Sequence, residues 1–364
     1  MITFSIGVIK MYFMKIFSKV TIFLFLIICS CSCVKSTSSD YVPVIPIDLS
    51  DSDTLTLKEL SYQEYLPSYP EAMLLVNEKL IVQDRRGTGA LFHKISELSV
   101  DKFVIFGNGP EDYLDANLNP FVYGKENVGF YDPIKKKVLI FNTGTELHKL
   151  LKVIDLRHIK ENICEAIACG RYFLLTGKQG VFSTSRFLIT DSTGQVVSKC
   201  NDYPEILPSS LNKPFDDKMK MLHSASFYRT SPDKQKAVFA SYHGALIQFF
   251  DLSFLPDSLK EIHSSQLSLP MKHSQISETH AGWVYGFEDI FATDNYVYAV
   301  FNGCTALENP AFGFHLLKYD WMGNLKKSYV SEIGIRSIAV DEKANLLYLA
   351  GYNGDEIKLY VASL

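Results

Sequence analysis

Glu78-Lys79-Leu80-Ile81-Val82-Gln83-Asp84 opens at a polar turn and runs into apolar residues. The same shape returns in Glu126-Asn127-Val128-Gly129-Phe130-Tyr131-Asp132 and in Gly170-Arg171-Tyr172-Phe173-Leu174-Leu175. It returns again in Lys236-Ala237-Val238-Phe239-Ala240, Asn295-Tyr296-Val297-Tyr298-Ala299-Val300 and Asn345-Leu346-Leu347-Tyr348-Leu349-Ala350. Short apolar runs bounded by Gly, Asn and Asp read as buried strands, and helical periodicity is scarce between them. The six copies stand roughly 45 to 65 residues apart, which is the period of propeller blades.

Strand-like neighbours flank each copy. Ala72–Val76, Ile163–Ile167, Ser226–Tyr228, Asp289–Ala292 and Ile338–Asp341 precede them, and Ala90–His93, Leu246–Phe250, Phe314–Tyr319 and Ile357–Tyr360 follow. A fourth strand follows a Gly turn at Gly194–Val197 and Gly323–Lys326. Four strands per unit and six units make an all-β fold, a six-bladed β-propeller of four-stranded antiparallel blades. The last unit ends at Leu364 after three strands, so its fourth must come from elsewhere. The alternating Thr54-Leu55-Thr56-Leu57-Lys58-Glu59-Leu60 is expected to supply it and close the ring, leaving no open radial edge. A lone blade cannot bury both faces, so residues 55–364 are expected to form one cooperative domain. Residues 201–222 and 253–282 read as long insertions on blades four and five, suited to surface or binding loops.

Composition agrees. Of 364 residues, 47% are hydrophobic and 21% charged, which excludes a disordered or collagen-like chain. Aromatics reach 13%, which favours pleated surfaces. A net charge of −4 and a pI near 6.2 give no basic field, so no nucleic-acid partner is expected. Lys135-Lys136-Lys137 is too isolated to change that.

The N-terminus reads as a targeting segment. Lys15 and Lys19 precede the apolar run Val20–Ile28, which is followed by Cys29-Ser30-Cys31-Ser32-Cys33 and a polar stretch. The run is about half of the roughly 20 residues that a spanning helix needs. The stretch resembles a bacterial lipoprotein signal, with a small residue at −1 and a branched aliphatic at −3 from the acylated Cys. Cys31 fits, with Ser30 and Ile28 in those places, and Cys33 is the runner-up. Residues 1–30 are therefore expected to be a signal peptide, with Met14 as the natural start, and residues 31–54 a lipidated tether. Cleavage removes three lysines and no acid, so acyl chains rather than charge would hold the protein to a membrane.

Two motifs carry a wider resemblance. Thr230-Ser231-Pro232-Asp233-Lys234-Gln235-Lys236 is similar to the Ser-Pro-Asp-Gly turn of TolB-type blades, with Lys234 where Gly is usual. Phe106-Gly107-Asn108-Gly109-Pro110-Glu111-Asp112-Tyr113 is similar to a Gly-x-Gly-Pro-x-Glu-aromatic segment, with the acid shared between Glu111 and Asp112. With these motifs and its signal, the chain resembles the TolB-like six-bladed propeller lipoproteins of Gram-negative bacteria. The resemblance implies an envelope-anchored propeller, mostly without established enzymatic activity.

Candidate chemistry is sparse. Gly107-x-Gly109 lacks the third glycine and following helix of a dinucleotide loop. Ser231-x-x-Lys234 opens a β-turn rather than the helix that serine β-lactam enzymes need. The nine His include no His-Glu-x-x-His pair, although His223, His243, His273 and His280 fall near the insertions. Cys164, Cys169, Cys200 and Cys304 show no zinc spacing; they read as small core residues, with a Cys164–Cys200 disulfide as the alternative. Trp283 and Tyr285 alternate just before an inner strand, where they either stack on a sugar or peptide or pack between blades. No catalytic residue, metal ligand or cofactor is assigned. Glu111, Asp112, Trp283 and Tyr285 are the candidate ligand or partner surface, and Cys31 the lipidation site.

The leading expectation is a non-catalytic binding module. It would be a lipid-anchored propeller of the cell envelope, on the periplasmic or outer surface of the outer membrane, facing an envelope protein or extracellular ligand. The alternative is a metal-dependent propeller enzyme, lactonase- or lyase-like, working at the central channel.

Overall fold

The computed structural model describes residues 44–60, 70–84, 89–94, 99–105, 107, 109, 112, 120–144, 149–177, 185–201, 226–269, 283–308 and 312–364. Two short strands, β1 (Asp53–Thr54) and β2 (Lys58–Glu59), precede the blades. Blade one is β3 (Pro70–Val76), β4 (Lys79–Asp84), β5 (Gly89–Lys94) and β6 (Ser99–Ile105). Blade two is β7 (Phe121–Tyr123), β8 (Asn127–Asp132), β9 (Lys137–Asn142) and β10 (Leu150–Asp155). Blade three is β11 (Ile163–Cys169), β12 (Tyr172–Gly177), β13 (Phe187–Asp191) and β14 (Val196–Cys200). Blade four is β15 (Ser226–Thr230), β16 (Lys236–Ser241), β17 (Leu246–Asp251) and β18 (Lys260–Gln266).

Blades five and six share a strand. β19 (Phe287–Ala292), β20 (Tyr296–Phe301) and β21 (Gly313–Asp320) are completed by the first part of β22 (Leu325–Asp341). The second part of β22 then opens blade six, pairing with β23 (Leu346–Tyr352), which pairs with β24 (Ile357–Ser363). All sheet pairing within the blades is antiparallel, and among the described residues there is no helix. The first strands of successive blades touch in order, from β3 through β7, β11, β15 and β19 to β22, which returns to β3. That is the closed ring of six blades read from the sequence.

The six recurrent runs are the second strands, β4, β8, β12, β16, β20 and β23. Neighbouring blades cover both their faces, so nearly every side chain is buried in β8, β12, β16 and β20. The core of Met73, Leu80, Phe130, Phe173, Phe187, Phe239, Phe249, Phe287 and Tyr298 runs between these sheets. The Ser-Pro-Asp turn is structural. The Ser231 hydroxyl donates to Asp233 Oδ1, which also accepts the Gln235 N–H at 3.0 Å. Lys234 takes the left-handed φ of 61° that glycine usually supplies.

Closure uses the expected segment, but the single strand read over Thr54–Leu60 is two. Asp53 and Thr54 run parallel to β22 opposite Tyr329 and Val330, on the outer edge of blade five. Leu55 then turns inward, 3% exposed, with its N–H on the Val330 carbonyl at 2.9 Å. Lys58 and Glu59 pair antiparallel with Val361 and Tyr360 as the fourth strand of blade six. Further upstream, Val44 bridges Gln266 on the outer strand of blade four. Residues 44–54, expected as tether, thus lie on the propeller edge. Lys260–Gln266, read as part of an insertion, is the outer strand β18; its side chains are partly exposed on both faces up to Gln266, so it carries neither an apolar run nor an alternation. Residues 1–30 and Cys31 lie outside the described residues, as do 202–222 and 270–282 of the two insertions.

Candidate functional site

In a four-stranded meander, the turns between second and third strands and the connections to the next blade emerge on one face of the ring. Three such segments meet where blades four and five join. Tyr242-His243-Gly244-Ala245 is the turn between β16 and β17. Trp283-Val284-Tyr285-Gly286 leads into β19, and Asn302–Ala306 follows β20. The middle segment is pinned on both sides. Gly286 N–H donates to the Tyr242 carbonyl at 2.7 Å and Gly244 N–H to that of Val284 at 3.0 Å. Across the other edge, Tyr285 N–H donates to Cys304 at 2.9 Å and Ala306 N–H to Trp283 at 2.9 Å. Gly286 permits the approach, because a Cβ there would fall 2.3 Å from the Ala245 nitrogen.

This ladder gathers rings. His243 is buried, whereas Tyr242, Trp283 and Tyr285 are half-buried. The His243 ring stacks on Tyr285, with centroids 5.7 Å apart and planes 27° apart. Trp283 meets His243 edge to face at 5.0 Å, and Tyr242 tilts against Tyr285 at 5.4 Å. The arrangement sets half-buried rings on a backbone hydrogen-bonded from both sides, which suits stacking against the apolar face of a sugar or a flat peptide side chain. Beside it, Glu308 Oε2 accepts the Thr305 N–H and hydroxyl at 2.6 and 2.8 Å and so shapes its own turn.

Two neighbouring acids of the inner strand β19 are each paired with an arginine of an adjacent blade. Asp289 of β19 accepts from Arg229 Nη2 of β15 at 3.3 Å, from the Ser337 hydroxyl at 2.8 Å and from the Ile338 N–H at 2.9 Å. Burial pushes the Asp289 carboxyl up, opposed by the Arg229 charge and by the bonds from Ile338, Ser337 and Ile290. Glu288 accepts from Arg336 at 3.2 Å and from Asn302 at 2.9 Å. These contacts tie blades four, five and six and occupy both Asp289 and Glu288.

Thiol chemistry is muted. Burial pushes the Cys169 thiol up to about 12 and Cys200 up to about 11, and burial with the nearby Glu308 raises Cys304. All four described cysteines are free, so the Cys164–Cys200 bridge is not made. Among the described residues, no group of three or more His, Cys, Asp or Glu is placed to hold a metal ion.

The four sequence candidates divide. Trp283 and Tyr285 come together, in the connection on the ring face rather than on the inner strand itself. Asp112 lies elsewhere, between blades one and two, and it shapes its loop: Oδ2 accepts the Gly109 N–H at 2.8 Å. Lys135 Nζ closes that loop by donating to the carbonyls of Gly109 at 2.9 Å, Asp112 at 2.6 Å and Gly107 at 3.3 Å. Lys135→Met should therefore cost about 1 kcal/mol in urea unfolding, because three half-buried carbonyls lose a charged donor. Glu111, His223, His273 and His280 lie outside the described residues. Tyr242 was missed; the only signal was an aromatic pair before the Gly244 turn.

A family model described as TolB-like 6-blade propeller-like matches residues 50–343. No curated protein matches the chain. Among solved structures, a Bacteroides fragilis NCTC 9343 protein described as a candidate exported protein aligns with a TM-score of 0.53 at 10% identity, covering 88% of this chain and 98% of that one. A gluconolactonase of Xanthomonas campestris aligns at 0.49 and 14% identity, over 88% of this chain and 97% of its own. The β-propeller domain of Cps50 from Myceliophteria thermophila aligns at 0.44 and 11% identity, over 82% of this chain and 98% of its own. At such identities the likeness concerns the fold alone.

Proposed function

Because the chain belongs to the TolB-like six-blade propeller-like family, we propose that it is a non-catalytic binding module of the cell envelope. In this reading it is attached to a membrane by acyl chains on Cys31. It presents the blade four–five face to an extracellular ligand or an envelope protein. The observation that carries the reading is the aromatic platform of Tyr242, Trp283 and Tyr285 over buried His243, held by backbone bonds from three segments.

Two features support binding rather than turnover. The inner-strand acids Asp289 and Glu288 are occupied by Arg229, Arg336, Ser337 and Asn302. The raised thiols of Cys169, Cys200 and Cys304 are poor nucleophiles at neutral pH. The family name itself fixes a fold and not an activity.

Affinity tests the platform. Titration calorimetry of the full chain with a panel of neutral oligosaccharides and aromatic-rich peptides should find a binder. Trp283→Ala and Tyr285→Ala should each weaken that binder by about tenfold or more, as anchor aromatics do. Binding that survives both substitutions unchanged would move the site elsewhere. The anchor is tested separately: Cys31→Ser should abolish incorporation of labelled fatty acid, and continued incorporation would transfer the acyl chains to Cys33.

A further inference from the structure

The outer edges of the blades are not alike. On blades four, five and six they carry the N-terminal segment: Val44 on β18, β1 on β22 and β2 on β24. On blades two and three, no described strand pairs with the outer edges of β10 and β14. There, four aliphatic side chains are exposed, Leu151 and Val153 on β10 and Val196 and Val197 on β14, each between 42% and 45%.

The two strands form one surface. Lys152 Nζ of β10 donates to the Ser192 carbonyl in the turn before β14 at 2.6 Å. Gly194 of that turn sits so close to Ile154 and Leu156 that a Cβ would fall 2.9 and 3.0 Å from their side chains. Lys199 of β14 pairs with Glu161 just beyond β10.

Charge runs against the rest of the molecule. The chain is net −4, yet residues 149–161 and 191–199 hold five cations and three acids. Two of the acids are paired with two of the cations, which leaves a local excess of two positive charges. Asp155 pairs with Arg157, Glu161 with Lys199, and Asp191 accepts the Thr193 and Gln195 N–H groups of its own turn. The basic turn Lys135–Lys137 adjoins the same edge, where Leu156 N–H bonds to the Lys136 carbonyl at 2.9 Å.

Exposed aliphatics on an edge that no described strand covers fit either a partner strand or a fluid apolar surface. Register decides between them. Leu151 and Val197 are the extra residues of β-bulges, as the pairing jumps from Leu150 to Lys152 and from Val196 to Ser198. Bulges and edge lysines are the devices that block strand addition. A bilayer needs no backbone ladder. It takes shallow aliphatic side chains, and its anionic headgroups attract flanking lysines.

We infer that the outer edge of blades two and three, Leu151 and Val153 with Val196 and Val197 among their lysines, rests on an anionic lipid surface. This deepens the membrane-attachment reading by giving the propeller a lipid-facing side.

Hydrogen exchange of the full-length chain tests it on vesicles of two kinds, phosphatidylcholine alone and phosphatidylcholine with phosphatidylglycerol. Slowed exchange confined to β10 and β14 on the mixed vesicles is expected. Lys149→Glu with Lys160→Glu should weaken that protection about tenfold or more, given the attraction each basic residue contributes at a charged surface. Leu151→Ser with Val197→Ser, which leaves charge unchanged, should weaken it too. Unchanged exchange at β10 and β14, or equal slowing on pure phosphatidylcholine, overturns the inference. So does slowing by polyglutamate without vesicles, which would assign the edge to an acidic protein. Association with both vesicle types reports the acyl anchor by itself, so failure of the anchor and failure of the patch are told apart.

Discussion

Asp289→Ala is expected to destabilise the folded chain by about 3–5 kcal/mol, the cost of leaving a buried partner charge uncompensated. One carboxylate here holds three blades. It belongs to blade five, takes Arg229 from blade four, and takes the Ser337 hydroxyl and Ile338 N–H from blade six. Truncation strands a buried guanidinium and two donors together. Asp155 is the instructive contrast. Arg157 bonds it and holds its carboxyl down to about 2, yet both side chains are exposed. Asp155→Ala should therefore change stability little, since solvent screens such a pair. Urea unfolding measures both. Pairing Asp289→Ala with Arg229→Met should recover part of the loss, because the stranded charge is gone. A midpoint for Asp289→Ala close to that of the parent would show that the triad does not hold the ring.

Leu55→Ala is expected to cost about 2–4 kcal/mol through the cavity it leaves. Leu55 stands between β1 and β2, so its anchoring positions both pairings that close the ring. Its side chain enters the cluster shared by blades five, six, one and two, and its N–H is fixed to Val330. The loss should show beyond the point of substitution. Amides of β24, which pair with Lys58 and Glu59, should exchange faster, while those of β12 in blade three should follow only global unfolding. If β24 exchange is unchanged and stability falls by less than about 1 kcal/mol, Leu55 is surface packing rather than the clasp.

How much of this was legible depended on which face each strand turns to its neighbours. Second strands such as Val128–Tyr131 and Val297–Val300 are enclosed by adjacent blades, so their apolar runs stand out at a regular period. An outermost strand is partly exposed on both faces, and Lys260–Gln266 therefore carries no apolar pattern to separate it from a loop. The closing strand was found by counting, because a sixth blade with three strands needs a fourth. Its split at Leu55 was not legible, since only the packed ring shows that two blades compete for the same short segment.

The site was half legible. Alternation marked Trp283 and Tyr285, yet their partners Tyr242 and His243 lie about 40 residues away in sequence, a separation set by blade packing and invisible to local pattern. Asp112 was read as a surface acid, but its carboxylate is committed to the Gly109 N–H. A short polar loop and a binding acid carry the same letters, and only the hydrogen-bond partner separates them.

The central claim is that the aromatic platform binds without converting what it binds. Trp321 is buried with its indole N–H on the Thr293 carbonyl, and the chain has only two tryptophans, so Trp321→Phe leaves Trp283 as the single indole emitter. Its emission should shift saturably as the oligosaccharide and peptide panel is titrated, with the bound ligand recovered intact by mass spectrometry. Emission unmoved by every member of the panel, or a ligand recovered chemically altered, would contradict it.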